Sequence, residues 1–336
     1  MEREEQVMPV QFARREFLAG MVAVTAAKAA SRFAPRRDGG SPFRISVIND
    51  EISQDFGHAC EVASREFGMG WIELRGMWKK NIVNLDEKEV AEARRILEKY
   101  QLKVTDIASP LFKVDWPGAP RSKFSEANGF GASFTLAQQD EVLERAMEMA
   151  KSFQTDRVRC FDFWRLQDQA PYRSAINDKL RDAAAKAAKK GIILVLENES
   201  ACNTATAAEA AKVLSAVETP SLMLNWDPGN AAASGEIPYP DGYNLLPKER
   251  IGHCHCKDAV KKGKGYDWAP MGGGVIEWAG QFKALKRDGY HFAVSLETHW
   301  HGGKPEPGST MGVPEASTRA SMKGLKEALA KAGAAC

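Results

Sequence analysis

The sequence predicts a single α/β domain with the architecture of a (β/α)8 TIM barrel. Short apolar runs alternate with segments of helical periodicity eight times after residue 43, which indicates parallel strands joined by helical crossovers. The 336 residues accommodate one barrel of about 250 residues together with an amino-terminal extension. A doubly wound open sheet, the alternative fold, predicts a glycine-rich phosphate loop after an early strand. The run Gly272-Gly273-Gly274 comes late in the chain and lacks that spacing.

Each predicted strand is a short aliphatic run, such as GIILVLE in the fifth. In chain order the predicted strands are Arg44–Asn49, Gly70–Arg75, Leu102–Ala108, Thr155–Phe161, Gly191–Glu197, Pro220–Asp227, Arg250–Lys257 and His291–Glu297. Helical periodicity predicts helices over residues 54–67, 86–100, 140–153, 170–190, 205–217, 276–287 and 313–331. A long stretch rich in proline and glycine, Ser109–Ala137, is expected to loop over one face of the barrel.

Composition excludes several classes of protein. Hydrophobic residues make up 44% and charged residues 27%, as is typical of a soluble globular protein. The 46 basic and 44 acidic side chains nearly balance, so we expect no nucleic-acid partner held by bulk charge. Six cysteines in 336 residues are too few for a disulfide scaffold.

The first thirty residues predict a twin-arginine-type signal peptide. Arg14-Arg15 is followed by Glu-Phe-Leu and an alanine-rich apolar stretch, with no acidic residue between Glu16 and Asp38. The apolar stretch is short and contains Lys28, so stable membrane insertion is not expected. The alternative is an alanine-rich amphipathic helix with a chance arginine pair. We expect cleavage near Ala30, a linker over residues 31–42, the barrel over residues 43–334, and a periplasmic or secreted protein.

Export to an oxidising compartment raises the question of the cysteines. Cys254 and Cys256 lie two residues apart on a predicted strand, which is a poor geometry for a disulfide between them. We interpret both as small buried hydrophobic residues. A zinc cluster formed with His253 and His255 is the alternative, but no second Cys/His group follows at a suitable spacing.

Four successive strands carry residues that can bind metals. Glu197 ends the fifth strand, Asp227 the sixth and Glu297 the eighth. The seventh strand carries His253 and His255, which face the same side because strand side chains alternate. The carboxyl ends of barrel strands converge on one mouth, where barrel enzymes keep their sites. Carboxylates together with one or two imidazoles suit Mn²⁺, Mg²⁺, Co²⁺ or Zn²⁺.

Each of these residues has a structural explanation when it is taken alone. Asp227 before Pro228 is a favourable helix N-cap, a strand-end glutamate is usually solvated, and a barrel histidine is usually a core residue. Four such residues on four successive strand ends are improbable as independent coincidences. The pattern as a whole therefore predicts a site for one divalent metal ion.

Five segments together resemble the sugar isomerase/epimerase superfamily, whose members have a xylose-isomerase-like barrel. The segments are LVLENE (194–199), NWDPGNA (225–231), GHCHCKD (252–258), PMGGGVIEW (270–278) and SLETH (295–299). The resemblance extends over about residues 44–330. It implies that Glu197, Asp227, His255 and Glu297 hold the metal, and that Asn230 faces the substrate.

The resemblance has departures. Ketose epimerases of the group usually continue His-x-His with Gly-Glu and a nearby arginine, whereas this chain has Lys257-Asp258, as in inosose dehydratases. Apurinic endonuclease IV, a distant relative, needs many more histidines than the six present here. Its missing ligands and the balanced charge argue against DNA repair.

The implied chemistry is removal of a proton from the carbon next to a sugar carbonyl, with Glu197 and Glu297 as base and acid. The substrate is expected to be a non-phosphorylated sugar or keto-sugar because the protein is expected to be exported. Isomerisation or epimerisation is favoured; a keto-sugar dehydratase or lyase, and a non-catalytic sugar-binding barrel, are the alternatives. A homo-oligomer is possible.

Five other polar residues are considered as substrate contacts or as ordinary ion pairs. Lys257 and His299 are candidate substrate contacts, and so is Arg159, for which pairing with Asp162 is the alternative. Glu73 and Arg75 share one face of the second strand and could pair with each other.

Overall fold

The computed structural model describes residues 40–125, 134–263, 265–305 and 308–335. Eight parallel strands form one sheet within these residues, close to the predicted positions. They are β1 (Arg44–Val47), β2 (Trp71–Leu74), β3 (Lys103–Leu111), β4 (Arg157–Cys160), β5 (Ile193–Glu197), β6 (Leu222–Trp226), β7 (Ile251–Cys256) and β8 (Ala293–Leu296). All eight predicted strands are confirmed, and the differences at their ends are the usual uncertainty of element boundaries.

The sheet closes into a barrel. Its strand order is β1-β8-β7-β6-β5-β4-β3-β2. A parallel bridge between Ile48, just after β1, and Glu73 in β2 joins the two ends of the sheet. The predicted (β/α)8 barrel is therefore confirmed, and the open doubly wound sheet is excluded.

Helices follow the strands in the regular alternation of this fold. The α-helices of six or more residues among the described residues are α1 (Phe56–Glu61), α2 (Glu87–Lys99), α3 (Gln139–Ser152), α4 (Arg173–Lys189), α5 (Ala207–Ala216), α6 (Pro228–Ala233), α7 (Trp278–Arg287) and α8 (Val313–Lys331). Capping boxes begin two of them, with Asp86 and Glu89 at α2 and Thr206 and Glu209 at α5. The sequence predicts no helix between the sixth and seventh strands, because six residues are too few to establish a helical period.

The inside of the barrel is polar, whereas the surface that faces the helices is apolar. Along β7, His253 and His255 alternate with Cys254 and Cys256. The two cysteines are fully buried in the main hydrophobic cluster and are unpaired, as predicted. No cysteine of the described residues belongs to a candidate metal group, so the structure does not support a Cys/His zinc cluster.

Two segments predicted from the sequence lie partly or wholly outside the described residues. The signal peptide and most of the linker fall within residues 1–39, and part of the predicted loop Ser109–Ala137, residues 126–133, also lies outside the described residues. Throughout the part of the chain that the structure describes, every helix is too short or too polar to cross a membrane.

An antiparallel hairpin, Asp258–Lys262 with Gly265–Ala269, follows β7 and carries Trp268.

Candidate metal centre

The four predicted ligand side chains meet at the carboxyl end of the barrel. Glu197 ends β5, Asp227 and Glu297 directly follow β6 and β8, and His255 lies near the end of β7. One ligand atom from each lies within 4.8 Å of all the others. His255 Nδ1 is 3.3 Å from Glu297 Oε2, 3.5 Å from Glu197 Oε1 and 3.8 Å from Asp227 Oδ2. All four side chains are buried. We call this group the upper site.

The donor chemistry of the upper site fits a divalent cation. Three carboxylates and one imidazole form a ligand set that suits Mn²⁺, Mg²⁺, Co²⁺ or Zn²⁺. Burial opposes a positive charge on His255, but Glu73, Glu297 and Glu197 raise the pKa of its imidazole well above the usual value. The carboxylates thus create a negative potential that favours a cation at this position.

Asp227 combines the two functions considered for it. Its Oδ1 accepts a hydrogen bond of 2.8 Å from the Asn230 backbone N–H and caps α6, while its Oδ2 faces the other ligands. Asn198 holds the Asp227 backbone on both sides, accepting from its N–H and donating to its carbonyl, each at 2.8 Å. The N-cap therefore fixes the carboxylate that points into the upper site.

Each of the two glutamates divides its oxygens between the upper site and an arginine. Glu197 Oε2 accepts from Arg159 Nη1 at 3.1 Å, and Glu297 Oε1 accepts from Arg75 Nη1 at 2.8 Å. Burial would raise the pKa of Glu297, but the Lys257 ammonium, with His299 and His255, holds it well below its usual range. Both arginines are buried, so these hydrogen bonds fix the orientation of the carboxylates.

The partners of these arginines differ from two of the pairings considered from the sequence. Arg159 contacts Glu197 and the carbonyl oxygens of Ala108 and Ser109, whereas Asp162 accepts hydrogen bonds from Arg173 and Thr204. Arg159 is therefore placed to orient a ligand carboxylate, and its role as a substrate contact stays a prediction.

Arg75 also binds two acids that the sequence analysis did not identify. Its guanidinium donates to Asp50 Oδ1 at 2.9 Å and to Glu51 Oε1 at 2.8 Å. These acids lie in a short helical turn, Asn49–Ile52, that begins two residues after β1, whereas Asp227 and Glu297 directly follow their strands. Acidic residues directly after the predicted first strand, Arg44–Asn49, were the signal that could have identified them.

Lys257 lies against two ligand carboxylates. Its Nζ is 2.9 Å from Asp227 Oδ2 and 2.8 Å from Glu297 Oε2. Burial opposes the charge, but these carboxylates raise the pKa of Lys257 well above its usual value, so the side chain is an ammonium. Asn230 Nδ2 lies 3.1 Å from Asp227 Oδ2 and 3.2 Å from Glu197 Oε1. The structure thus places both predicted substrate contacts beside the upper site.

His299 and Trp268 form a partly exposed edge above these buried groups. The His299 side chain is 30% exposed, and its Nδ1 lies 3.4 Å from Glu51 Oε1 and 3.8 Å from Glu297 Oε1. Its φ of 48° places it in the left-handed region, which is uncommon for a residue other than glycine. The Trp268 ring lies 5.8 Å from the His299 ring and 4.9 Å from Lys257 Nζ.

A second group of polar side chains lies deeper in the barrel. Glu73 Oε1 is 3.1 Å from His255 Nε2, and Glu73 Oε2 is 3.5 Å from His253 Nε2. Burial favours a neutral Glu73, but the charge and hydrogen bond of His255 lower its pKa to about 2. Burial lowers the pKa of His253 to about 3, so that imidazole is neutral. Glu73 therefore fixes the His255 ring with Nδ1 toward the upper site.

The fold and the buried ligand group define a (β/α)8 barrel with a candidate metal centre at the carboxyl ends of its strands. The family model described as "Xylose isomerase-like TIM barrel" matches residues 62–328, and the chain belongs to this family. The superfamily resemblance drawn from the five segments is thereby confirmed. Among curated proteins, no sequence matches the chain.

Several solved structures share the fold. IolI protein with a bound zinc atom has a TM-score of 0.63 and 16% identity, covering 86% of this chain and 98% of that one. The probable 3-DHS dehydratase AsbF of Bacillus anthracis has a TM-score of 0.62 and 18% identity, covering 84% and 98%. D-Allulose 3-epimerase from Methylomonas sp., in complex with D-allulose, has a TM-score of 0.61 and 17% identity, covering 87% and 98%.

The chain also covers 45% of a xylose isomerase-like TIM barrel/4-hydroxyphenylpyruvate dioxygenase fusion protein, at 14% identity and a TM-score of 0.60. At these identities the likeness establishes the fold. The reaction and the metal have to be argued from the residues of this chain.

Proposed function

We propose that the protein is a divalent-metal-dependent isomerase or epimerase that removes a proton next to the carbonyl of a non-phosphorylated sugar or keto-sugar. The observation that carries the proposal is the upper site, in which three carboxylates and one imidazole converge within 4.8 Å in a buried position. The similarity to an epimerase and to a zinc-containing family member supports the same class of chemistry. Zinc, magnesium, manganese and cobalt all suit the ligand set.

In this proposal Glu197, Asp227, His255 and Glu297 hold the ion. Once bound there, a divalent cation supplies stabilisation of the negative charge that develops on the substrate oxygen during proton removal. Lys257 adds a hydrogen bond to that oxygen, because its ammonium lies at the same carboxylates. Asn230 Oδ1 is buried without a hydrogen-bond partner among the described residues, and it accepts from a substrate hydroxyl.

The proton passes to a glutamate. Glu297 is held as a carboxylate by Lys257 and Arg75, so it starts the reaction as a base. The electron pair of the broken C–H bond moves to the carbonyl oxygen and leaves an enediolate. Return of a proton to the other face of the same carbon gives the epimer, and return to the neighbouring carbon gives the isomer. Glu197, on the third strand along from β8, delivers it after taking a proton from solvent, and Glu297 releases its own proton to solvent to complete the epimerisation.

The buried ammonium also supports a second candidate, a keto-sugar dehydratase. Lys257 is the nearest proton-bearing group to Glu297 Oε2, at 2.8 Å. A base and an acid side by side suit β-elimination, in which Glu297 takes the proton and Lys257 protonates the leaving hydroxyl. The Lys257-Asp258 sequence and the fold shared with a probable dehydratase point the same way. A non-catalytic sugar-binding barrel is the third alternative.

One experiment separates these functions. The purified mature protein is incubated in D₂O with Mn²⁺, Mg²⁺, Co²⁺ or Zn²⁺ and a panel of ketoses, aldoses and keto-glycosides, and the products are followed by NMR. The proposal predicts deuterium at the carbon next to the carbonyl, loss of that exchange with a chelator, and an epimer or isomer as product. An unsaturated product identifies the dehydratase. Exchange that persists in metal-free protein contradicts both, and binding without exchange identifies the sugar-binding barrel.

A further inference from the structure

We propose a second metal site below the upper site, formed by Glu73, His253 and the Nε2 atom of His255. We call this group the lower site. Its three ligand atoms lie within 4.8 Å of one another, and all three side chains are fully buried. The two sites use different nitrogen atoms of the His255 ring. Nδ1 faces the upper site, and Nε2 faces Glu73 in the lower site.

Two of its atoms are buried without a hydrogen-bond partner. Glu73 Oε2 and His253 Nε2 face each other at 3.5 Å, and neither has a hydrogen bond within the described residues. His253 Nδ1 lies 3.1 Å from Asn225 Oδ1 and donates its N–H there. Nε2 is therefore the ring nitrogen of His253 that faces the Glu73 carboxylate oxygen, and imidazole nitrogen and carboxylate oxygen are both metal ligands. A cation between the two atoms would give each of them a partner.

The spacing of the donors fits a small transition-metal ion. Ligand atoms about 2.0–2.2 Å from a tetrahedral zinc ion lie roughly 3.3–3.6 Å from each other. The carboxylate of Glu73 lies 3.1 Å from His255 Nε2 and 3.5 Å from His253 Nε2, through one oxygen each. Asn225 Nδ2 is also 3.2 Å from His255 Nε2 and packs against the ring. Ser295, opposite His255 in the strand register, has a buried hydroxyl beside Glu73 that offers a further oxygen.

The two sites differ in the ions that they select. The lower site offers two imidazoles and one carboxylate, a set that favours Zn²⁺ or another late first-row ion. The upper site offers three carboxylates and one imidazole, a set that also accepts Mg²⁺ and Mn²⁺. If both are filled, His255 contributes Nδ1 to the upper site and Nε2 to the lower one, and the two N–H protons of its imidazolium are released to solvent. We therefore expect Zn²⁺ to fill both sites and Mg²⁺ to fill only the upper one.

Metal content tests this proposal without any substrate. Purified full-length protein is stripped with chelator, loaded with Zn²⁺ or Mg²⁺ in the presence of a weak competing chelator that removes surface ions, and analysed for metal per chain. We expect two zinc ions and one magnesium ion in the wild type. His253→Gln should reduce zinc from two to one and leave magnesium at one. Asp227→Asn, which removes one charge from the upper site, should bind magnesium too weakly to retain it against the competing chelator, and should keep one zinc.

Several results would overturn the lower site. One zinc per chain in the wild type, lost in Asp227→Asn, would mean that Glu73 only orients His255. Two zinc ions that persist in His253→Gln would place the second ion elsewhere. Circular dichroism monitors folding, and anomalous diffraction at the zinc edge of the wild type locates both ions if His253→Gln does not fold. Magnesium binding that survives Asp227→Asn would instead contradict the upper site and the proposed function, so the two failures are distinguishable.

Discussion

The two carboxylate oxygens of Glu297 contact different partners on opposite sides. Oε2 faces His255 and Lys257, whereas Oε1 is bound by Arg75. A carboxylate held on both sides is fixed in orientation and stays ionised, which suits a ligand that also removes a proton. A residue in contact with ligands, cations and the expected substrate position is the natural target for separating catalysis from structure.

We predict that Glu297→Gln lowers turnover at least about 100-fold, since general acid–base groups typically contribute 10²–10⁴-fold. The amide keeps an oxygen for the metal, so metal affinity should weaken without being lost. Glu199→Gln is the matched control, because Glu199 pairs with Lys113 at 3.3 Å and is not part of the upper site. Turnover and deuterium exchange are measured on both variants. Near-normal exchange in metal-loaded Glu297→Gln would contradict the role of this residue as a base.

Asp106, on β3 inside the barrel, is a buried carboxyl group without a hydrogen-bond partner for either oxygen among the described residues. Burial raises its pKa to about 8, with a further contribution from Glu73. The folded protein therefore binds one more proton than the unfolded chain between about pH 4 and pH 8. Over that interval the free energy of unfolding should fall as the pH rises, and the loss is complete above the folded pKa.

We predict that Asp106→Asn removes this pH dependence. The variant should gain stability over the wild type as the pH increases from 5 to 8.5, by up to about 1.4 kcal/mol per pH unit. Urea unfolding in the presence of chelator at several pH values measures the difference. Asp182→Asn, at an exposed position on α4, is the control and should follow the wild type. A constant difference between Asp106→Asn and the wild type would show that the carboxyl group is already ionised at neutral pH.

The individual ligands of the upper site could be predicted from the sequence because each one lies at the carboxyl end of a strand or next to it. Their partners could not be predicted in the same way. Arg75 and Glu297 are 222 positions apart and meet only because closure of the barrel brings β2 and β8 to either side of β1. The lower site depends likewise on Glu73 reaching β7 across the interior. Contacts across a barrel depend on strand register and closure, which the local sequence pattern does not encode.

At the scale of elements, the short helix α6 connects the upper site to the end of β7. Asp227 begins the helix, and Asn230 in its first turn contacts Glu197. Gly229 lets the helix approach closely, since a Cβ there would lie 2.6 Å from the Lys257 carbonyl oxygen. Asp258, the next residue, accepts backbone N–H groups of Gly272 and Gly274 and anchors the loop before α7. Lys257 thus contacts the ligand carboxylates of the upper site, and Asp258 anchors the loop before α7.

We predict that two substitutions at Asp227 separate capping from ligation. Asparagine is as good an N-cap as aspartate, whereas alanine is not. Asp227→Asn and Asp227→Ala should both weaken metal binding, because both remove the charge from the upper site. Asp227→Ala should in addition be about 1 kcal/mol less stable than Asp227→Asn. Urea unfolding in chelator and titration with Mn²⁺ measure the two properties. Equal stability would mean that the cap contributes nothing to α6.

At the scale of the whole molecule, the barrel fold was predictable because eight strand–helix units repeat along the chain. Five cysteines lie in the described residues, and all are buried and unpaired. Burial raises the pKa of Cys160, Cys202 and Cys256 well above the ordinary thiol value, so these thiols resist oxidation. Such a protein tolerates an oxidising compartment without disulfides, which is compatible with the predicted export. Location and a possible homo-oligomer stay predictions.

Export is a property of the whole chain. The feature that predicts it, Arg14-Arg15, lies outside the described residues. A twin-arginine route carries folded proteins, so the upper site would be assembled before the chain leaves the cytoplasm. We predict that changing both arginines to lysine retains the precursor in the cytoplasm, while the matched variant Arg3→Lys is exported normally. Cell fractionation and mass spectrometry of the mature amino terminus measure this, with cleavage expected near Ala30. Unaltered secretion of the double variant, or a secreted protein that still starts at Met1, would contradict the signal peptide and, with it, the argument from export for a non-phosphorylated substrate.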